Sequence, residues 1–137
     1  MSDGTPRAFG LAGSRSFVSI SKMKYLVLIF GTTDDTWTGS AEDVAAIRSL
    51  TELKHALAAS GELVSSEGLS FPSSGKVVQV RDGVRVITDG PFGEAKEQIA
   101  GFFMIDTDDE RAQEIAGQVA AIIGDRVELR ETVLSAP

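Results

Sequence analysis

Residues 24–31 limit the possible folds of this chain more than any other segment, because residues 25–30 form six consecutive apolar positions, Tyr-Leu-Val-Leu-Ile-Phe. A run of this length is typical of a β-strand that is covered on both faces. It is far shorter than the ~20 apolar residues that a membrane-spanning helix needs. The run therefore predicts a central strand of a sheet and no membrane span.

Two segments carry the signals of helix ends. Ser40 and Thr107 are each followed three residues later by a carboxylate, an arrangement that caps a helix N-terminus. Gly61 and Gly124 stand where the apolar patterns end, and glycine favours the left-handed position just beyond a helix. The apolar residues fall on one side of each predicted helix: Val44, Ile47, Leu50, Leu53 and Leu57 in the first, and Ala112, Ile115, Ala116, Val119, Ile122 and Ile123 in the second.

The other strands are predicted from shorter patterns. Asp82-Gly83 separates two valine-rich runs, and this dipeptide tolerates the positive φ values of a type I′ hairpin turn. Further strands are predicted over residues 62–69, 77–80, 84–87, 101–105 and 126–133. The resulting order of strand, helix, strand, hairpin, strand, helix, strand predicts an α+β fold, a ferredoxin-like two-layer sandwich with an antiparallel sheet.

Two helices that are each apolar on one side only cannot cover both faces of such a sheet. Residues 25–30 and 102–105 are nevertheless apolar on both sides. The simplest cover for the second face is the same face of another copy of the chain. We therefore expect a homodimer that encloses an interior between two sheets, a dimeric α/β barrel.

Composition narrows the class of protein. The 137 residues fit a single domain over residues 23–137, preceded by a flexible extension of residues 1–22, with a translation start at Met23 as the alternative. A net charge of −7 disfavours direct binding of nucleic acid. The absence of cysteine fits a cytoplasmic protein. The single histidine, His55, has no ligand partner at metal-binding spacing, so neither a metal nor a cofactor is expected.

The segment from Asp89 to Phe102 holds the residue types that bind or react. A predicted strand ends at Asp89, where Gly90-Pro91 breaks it, and charged residues follow between aromatic ones. The catalytic candidates are Asp89, Glu94, Lys96 and Glu97, and the ligand-binding candidates are Phe92, Phe102 and Trp37. A carboxyl group beside aromatic rings has the raised pKa that a general base needs. The alternative is a rigid corner whose charges are solvated.

Several blocks of the chain resemble a known family. They comprise residues 23–31, 61–63, 67–69, 80–83, 88–92, 94–98, 101–103 and 127–130. Together they are similar to the DGPF branch of the YCII-related proteins, from Met23 to about Val133. The resemblance implies a ferredoxin-like fold paired into a dimeric α/β barrel. It also implies a link to sigma-factor-dependent transcription, and hence a transcription regulator as a possible partner.

The wider superfamily includes small enzymes that use an Asp and His pair, and this chain departs from that pattern. The position that corresponds to the histidine of these enzymes is occupied by Leu50 here. His55 lies only six residues before Gly61 and therefore does not match that position. The Asp-Pro segment is replaced by Asp125-Arg126. The pair is therefore not carried over. The favoured hypothesis is a homodimeric small-molecule-binding or regulatory protein, and the alternative is a cofactor-free enzyme that acts on a compact organic substrate by carboxylate general acid/base chemistry.

Overall fold

The computed structural model describes residues 23–31, 39–90 and 98–134. The strands in these ranges are β1 (Met23–Gly31), β2 (Leu63–Gly68), β3 (Lys76–Arg81), β4 (Val84–Asp89), β5 (Gln98–Thr107) and β6 (Val127–Glu131), and the helices are α1 (Ala41–Ser60) and α2 (Asp109–Ile123). Residues 1–22 lie outside the described ranges, so the predicted extension and the bounds of the single domain stay predictions.

Four of the strands form one sheet in the order β2-β5-β1-β6, and every neighbouring pair is antiparallel. The residues of β1 pair with β5 on one side and with β6 on the other, so the apolar run lies in the middle of the sheet. This arrangement confirms the predicted α+β fold and is consistent with a ferredoxin-like two-layer sandwich.

The two faces of the sheet follow from the alternation of side chains along β1 and β5. Tyr25, Val27, Phe103 and Ile105 belong to the buried core, together with residues of both helices: Leu57, Ala112, Ile115, Ala116 and Val119. The alternate positions Leu26, Leu28, Phe102 and Met104 lie on the opposite side, which we call the outer sheet face. The prediction that β1 and β5 are apolar on both sides is confirmed.

Helix α1 begins and ends where the sequence predicts. The Ser40 hydroxyl accepts a hydrogen bond from the Asp43 backbone N–H at 3.1 Å, and Gly61 has φ +83°. The apolar arc is only partly buried, because Leu57 alone is fully buried while Val44 and Ile47 are exposed. Val44 lies about half a turn around the helix from Leu53, which packs on the core, so Val44 and Ile47 lie off the side of α1 that faces the core.

The predicted cap of the second helix at Thr107 is wrong by one residue. Asp108 is the cap, because its carboxylate accepts the Arg111 backbone N–H at 2.9 Å. Thr107 is the last residue of β5 and is buried. Its hydroxyl donates to Glu62 Oε2 at 3.3 Å and is therefore engaged in a tertiary contact.

The hairpin formed by β3 and β4 has the predicted turn but stands apart from the main sheet. Asp82 and Gly83 have φ values of +50° and +78°, as a type I′ turn requires. The two strands pair with each other from Lys76–Asp89 to Arg81–Val84 and form a separate two-stranded sheet.

Gly101 is required by the close approach of β2 to β5. A Cβ atom at this position would lie 2.8 Å from the Glu67 carbonyl oxygen. We expect Gly101→Ala to lower the free energy of unfolding by about 1–3 kcal/mol, because backbone atoms must move to accept it. The matched control is Gly117→Ala in α2, where an added Cβ meets no atom within 4 Å. Denaturant unfolding should show the control stabilised by roughly 0.5–1 kcal/mol. Equal effects of the two variants would contradict the prediction.

Candidate functional site

A half-open cavity of about 160 Å³ lies where β1 ends and β5 begins, and we call it the strand-end cavity. It is lined by Phe30, Gly31, Leu69, Ser70, Phe71, Pro72, Gln98, Ile99 and Ala100. These residues come from two neighbouring strands and from the loop after β2. The topology of the sheet therefore brings together residues from three separate parts of the sequence.

A bulge and a short helical turn shape the walls of the cavity. The register between β1 and β5 shifts between Ile29 and Phe30. Across the cavity, the Leu69 backbone N–H donates to the Ala100 carbonyl at 2.8 Å, which fastens the loop to β5. The following turn, Pro72–Ser74, closes on itself because the Ser74 backbone N–H donates to the Phe71 carbonyl at 2.9 Å. The loop is thus held by its own hydrogen bonds.

The lining of the cavity determines its chemistry. Phe30, Phe71 and Ile99 provide apolar walls, and none of the described lining residues is ionisable. Ser70 accepts a hydrogen bond from the Ser74 hydroxyl at 2.7 Å. Among residues 23–31, 39–90 and 98–134, no hydrogen-bond partner engages the side-chain amide of Gln98, which can therefore orient a polar group of a ligand. A cavity of ~150 Å³ suffices for a benzene-sized molecule.

Asp89 lies near this cavity but does not line it. Its carboxylate pairs with Lys76 Nζ at 2.8 Å, and its side chain is 75% exposed. Ion pairs that are this exposed contribute little to stability. The end of the hairpin is joined to the cavity wall through backbone bonds, since the Gly90 N–H donates to Gly75 at 3.0 Å and the Gly75 N–H donates to Pro72 at 2.9 Å.

Phe102 does not line the cavity. It lies on the outer sheet face, in register with Leu28 on β1 and with Glu67 on β2. The other sequence candidates, namely Trp37, Phe92, Glu94, Lys96 and Glu97, lie outside the described residues. Their segments, 32–38 and 91–97, are covalently joined to the cavity residues Gly31 and Gln98.

The sequence reasoning missed the wall formed by Leu69 and Phe71. Both are large exposed apolar residues in a loop that contains a proline. Large apolar residues in a proline-containing loop were the sequence signal for this wall, because an exposed apolar patch marks a binding surface. Lys76 was also missed as the partner of Asp89, although both residues stand at the open end of the predicted hairpin.

A second cluster of charges lies at the opposite end of β5 and is structural. Arg111 donates to both oxygens of Glu62, at 2.9 Å from Nε and 3.2 Å from Nη2. The hydroxyls of Ser60 and Thr107 also donate to this carboxylate, at 2.7 and 3.3 Å. The hydrogen bonds from Arg111 are the main reason that the pKa of Glu62 falls from 4.5 to about 2. The cluster holds the start of β2 against α2.

Tyr25 adds a further tie between β1 and α2. Its hydroxyl donates to Asp109 Oδ1 at 3.4 Å. Burial of the ring, and then the negative charge of Asp109, raise the pKa of Tyr25 well above its usual value. The phenol therefore stays neutral at physiological pH and serves as a hydrogen-bond donor in the core.

The remaining surface offers weaker sites. A groove of about 530 Å³ between α1 and α2 is open to solvent and includes Glu42, Asp43 and Ile122 in its lining. His55 is exposed on α1. In the described ranges, no three His, Cys, Asp or Glu side chains are grouped closely enough to hold a metal ion. Neither of the described helices is long and apolar enough to cross a membrane.

Comparison with known proteins identifies the family. Residues 23–133 match the YCII-related domain. The chain belongs to the YCII-related family. This YCII-related protein is also 31% identical over 85 residues to the uncharacterized protein R00369 of Rhizobium meliloti (strain 1021), a match that covers 61% of this chain and 68% of the relative. The family resemblance seen in the sequence is confirmed, and the assignment to the DGPF branch stays a prediction.

The Glu62–Arg111 pair gives a pH-dependent prediction. Because the pKa of Glu62 is lowered on folding, its contribution to stability is complete above about pH 4.5 and is lost as the pH falls toward 2. We expect Arg111→Met to lower the free energy of unfolding at pH 7 by about 1–2 kcal/mol, since the pair is partly exposed. The difference from wild type should shrink toward pH 2 in denaturant titrations. Glu114→Gln, which removes only the exposed second partner of Arg111, serves as the control. A difference that does not change with pH would contradict the assignment.

Proposed function

We propose that this YCII-related protein is a homodimeric small-molecule-binding protein of the DGPF branch, and that the strand-end cavity holds a compact apolar or aromatic group of its ligand. The observation that carries the proposal is the lining, which combines Phe30, Phe71 and Ile99 with the amide of Gln98 and, over the part of the chain that the structure describes, contains no ionisable side chain. Such a site favours binding over proton transfer, because binding needs apolar walls and one or two orienting polar groups.

The binding proposal is tested by filling the cavity. Ala100 lines it, so Ala100→Phe places a ring in the space that a ligand would occupy. Phenol, indole and benzoate serve as probes, with binding followed by ligand-observed NMR. We expect saturable binding of at least one probe to the wild type and a loss of about tenfold or more in affinity in the variant, which corresponds to about 1.4 kcal/mol.

The matched control for this experiment is Ala59→Phe on the exposed surface of α1. It adds the same ring far from the cavity and should bind the probes as the wild type does. If no probe binds saturably, or if Ala100→Phe binds as tightly as the control, the cavity is not the ligand site.

The dimer in this proposal forms through the outer sheet face. Leu26, Leu28, Phe102 and Met104 are apolar and lie on the side of the sheet opposite the core that both helices cover; in the single chain Leu28 is buried and the other three are half-buried. Contact between two copies of one surface is the commonest symmetric way to cover such a patch. The interior between the sheets is then closed on both sides, as the predicted dimeric α/β barrel requires.

The dimer is tested by placing a charge on this face. Leu26→Glu puts a carboxylate into the proposed contact, where an unpaired charge is costly. We expect a wild-type mass of two subunits in sedimentation equilibrium and a dissociation constant raised by about 100-fold or more in the variant, or about 2.7 kcal/mol. Ala59→Glu on α1 is the control and should leave the dimer unchanged. A wild-type protein that is monomeric at micromolar concentration would refute the dimer.

A small cofactor-free enzyme is the second candidate function. It is favoured by one observation: Asp89, Glu94, Lys96 and Glu97 belong to a stretch whose described ends are tied to the cavity, through Gly90 on one side and Gln98 on the other. A carboxylate would act as general base and Lys96 would stabilise a developing oxyanion. If screening finds a turnover, its loss in Asp89→Asn or Glu97→Gln with the dimer intact would support this function over binding alone.

The proposal extends to the cellular setting. The chain lacks cysteine, which fits a cytoplasmic location, and its net charge of −7 disfavours a direct contact with DNA. Through its resemblance to the DGPF branch, we propose a regulatory link to sigma-factor-dependent transcription. The contact would be with a regulator protein.

A further inference from the structure

The hairpin of β3 and β4 exposes apolar side chains on both of its faces, with Val77 and Val84 on one face and a larger group on the other. Val78 pairs directly with Ile87, and Val80 pairs with Arg85, so these four residues share a face that we call the Val78 face. Val78, Val80 and Ile87 are 57%, 72% and 51% exposed. Exposed apolar residues in a contiguous group mark a contact surface.

The hairpin lacks the support that such an element needs. Within the described ranges, neither of its strands packs substantially on the helices or on the four-stranded sheet. An isolated two-stranded hairpin is marginally stable in water at best. The surface that stabilises it in this arrangement therefore has to come from outside the chain's own described core.

Charge distinguishes the hairpin from the rest of the described chain. Lys76, Arg81 and Arg85 outnumber its two acidic residues, whereas acidic side chains predominate elsewhere. On the outer sheet face, Glu67 of β2 lies in register with Phe102, and Glu128 of β6 lies in register with Leu28. This face thus offers an apolar stripe with a carboxylate on each edge strand: Glu128 already pairs with Arg130 Nη1 at 3.2 Å, whereas Glu67 has no ion pair among the described residues. The Val78 face is complementary to this surface, because its apolar residues can pack on the stripe and Arg85 can pair with a carboxylate.

We infer that the hairpin of each subunit lies against the rim of the outer sheet face of the second subunit. Val78, Val80 and Ile87 contact the apolar stripe at its edge, and Arg85 pairs with the carboxylate of that edge strand. A two-fold axis makes the contact reciprocal, so both hairpins and the rims of both outer faces are covered at once. The inference rests on the proposed dimer and adds a specific segment of the partner to its interface.

The chain contains no cysteine, which allows cross-links to be placed without background. Subunits with Val80→Cys are mixed and re-equilibrated with longer, tagged subunits that carry Glu67→Cys or Glu128→Cys, and a short bis-maleimide is added. A covalent product of intermediate size forms only between the two different chains. We expect this product with at least one of the two edge positions. In the matched control, Ala59→Cys on the exposed surface of α1 takes the place of Val80→Cys. This combination should give no product of intermediate size.

The outcomes distinguish a failure of the hairpin contact from a failure of the proposed dimer. Wild-type mass is measured first by sedimentation equilibrium. A dimeric protein without the intermediate product at either edge position overturns the hairpin contact and leaves the sheet-to-sheet dimer standing. A monomeric protein overturns both. In a double variant Val80→Cys/Glu67→Cys, a cross-link confined to single chains would show that the hairpin covers its own sheet, which also overturns the inference.

Charge reversal provides an independent measurement. Arg85→Glu should raise the dimer dissociation constant by about fivefold or more, because it opposes a carboxylate across the contact. Adding Glu67→Arg or Glu128→Arg to the same chain should restore part of the affinity at the edge that forms the cross-link. Thermal unfolding at high protein concentration checks that each variant is folded. An affinity that is unchanged by Arg85→Glu contradicts the pairing.

Discussion

The central constraint on this structure is a strand that is apolar on both of its faces. On the inner side, Val27 and Phe103 sit opposite each other and are buried beneath α2 and the end of α1. Removal of that apolar surface from water is the main source of stability for a domain of this size. The same strand carries Leu26 and Leu28 on its other side, so the core that folds the chain also creates the surface through which we propose it to associate.

The two ends of β5 have different roles. At Thr107 the chain is fixed by Glu62, whose carboxylate receives hydrogen bonds from an arginine and two hydroxyls. At Gln98 the chain lines a cavity whose far wall is a loop. Among the described residues, the charged groups with strongly shifted pKa values, Glu62 and Arg111, lie at the first end and are satisfied there, so their shifts mark a structural tie.

The sequence was sufficient wherever a local rule decides the structure. The apolar run of β1, the Asp82-Gly83 turn and the glycine after α1 are each dictated within a few residues. The cap of α2 was misplaced because Thr107 and Asp108 are both good capping residues, and only the contact of Thr107 with Glu62 decides between them. The exposure of Val44 and Ile47 was missed because the predicted apolar arc of α1 was too broad, since only Leu50, Leu53 and Leu57 pack on the core. The cavity depends on Phe30 and Phe71 lining the same space, and no spacing rule relates residues that far apart in the sequence.

The loop of residues 69–75 is fixed almost entirely by bonds that begin and end within it or at the adjoining backbone of β5 and Gly90. None of its side chains belongs to the buried core of the domain. Side-chain changes in this loop can therefore reshape the cavity without loosening the sheet or the helices. Because the loop and the core are independent in this way, substitutions in one short segment can change the ligand that the cavity accepts. Related proteins with the same sheet can thereby come to recognise different molecules.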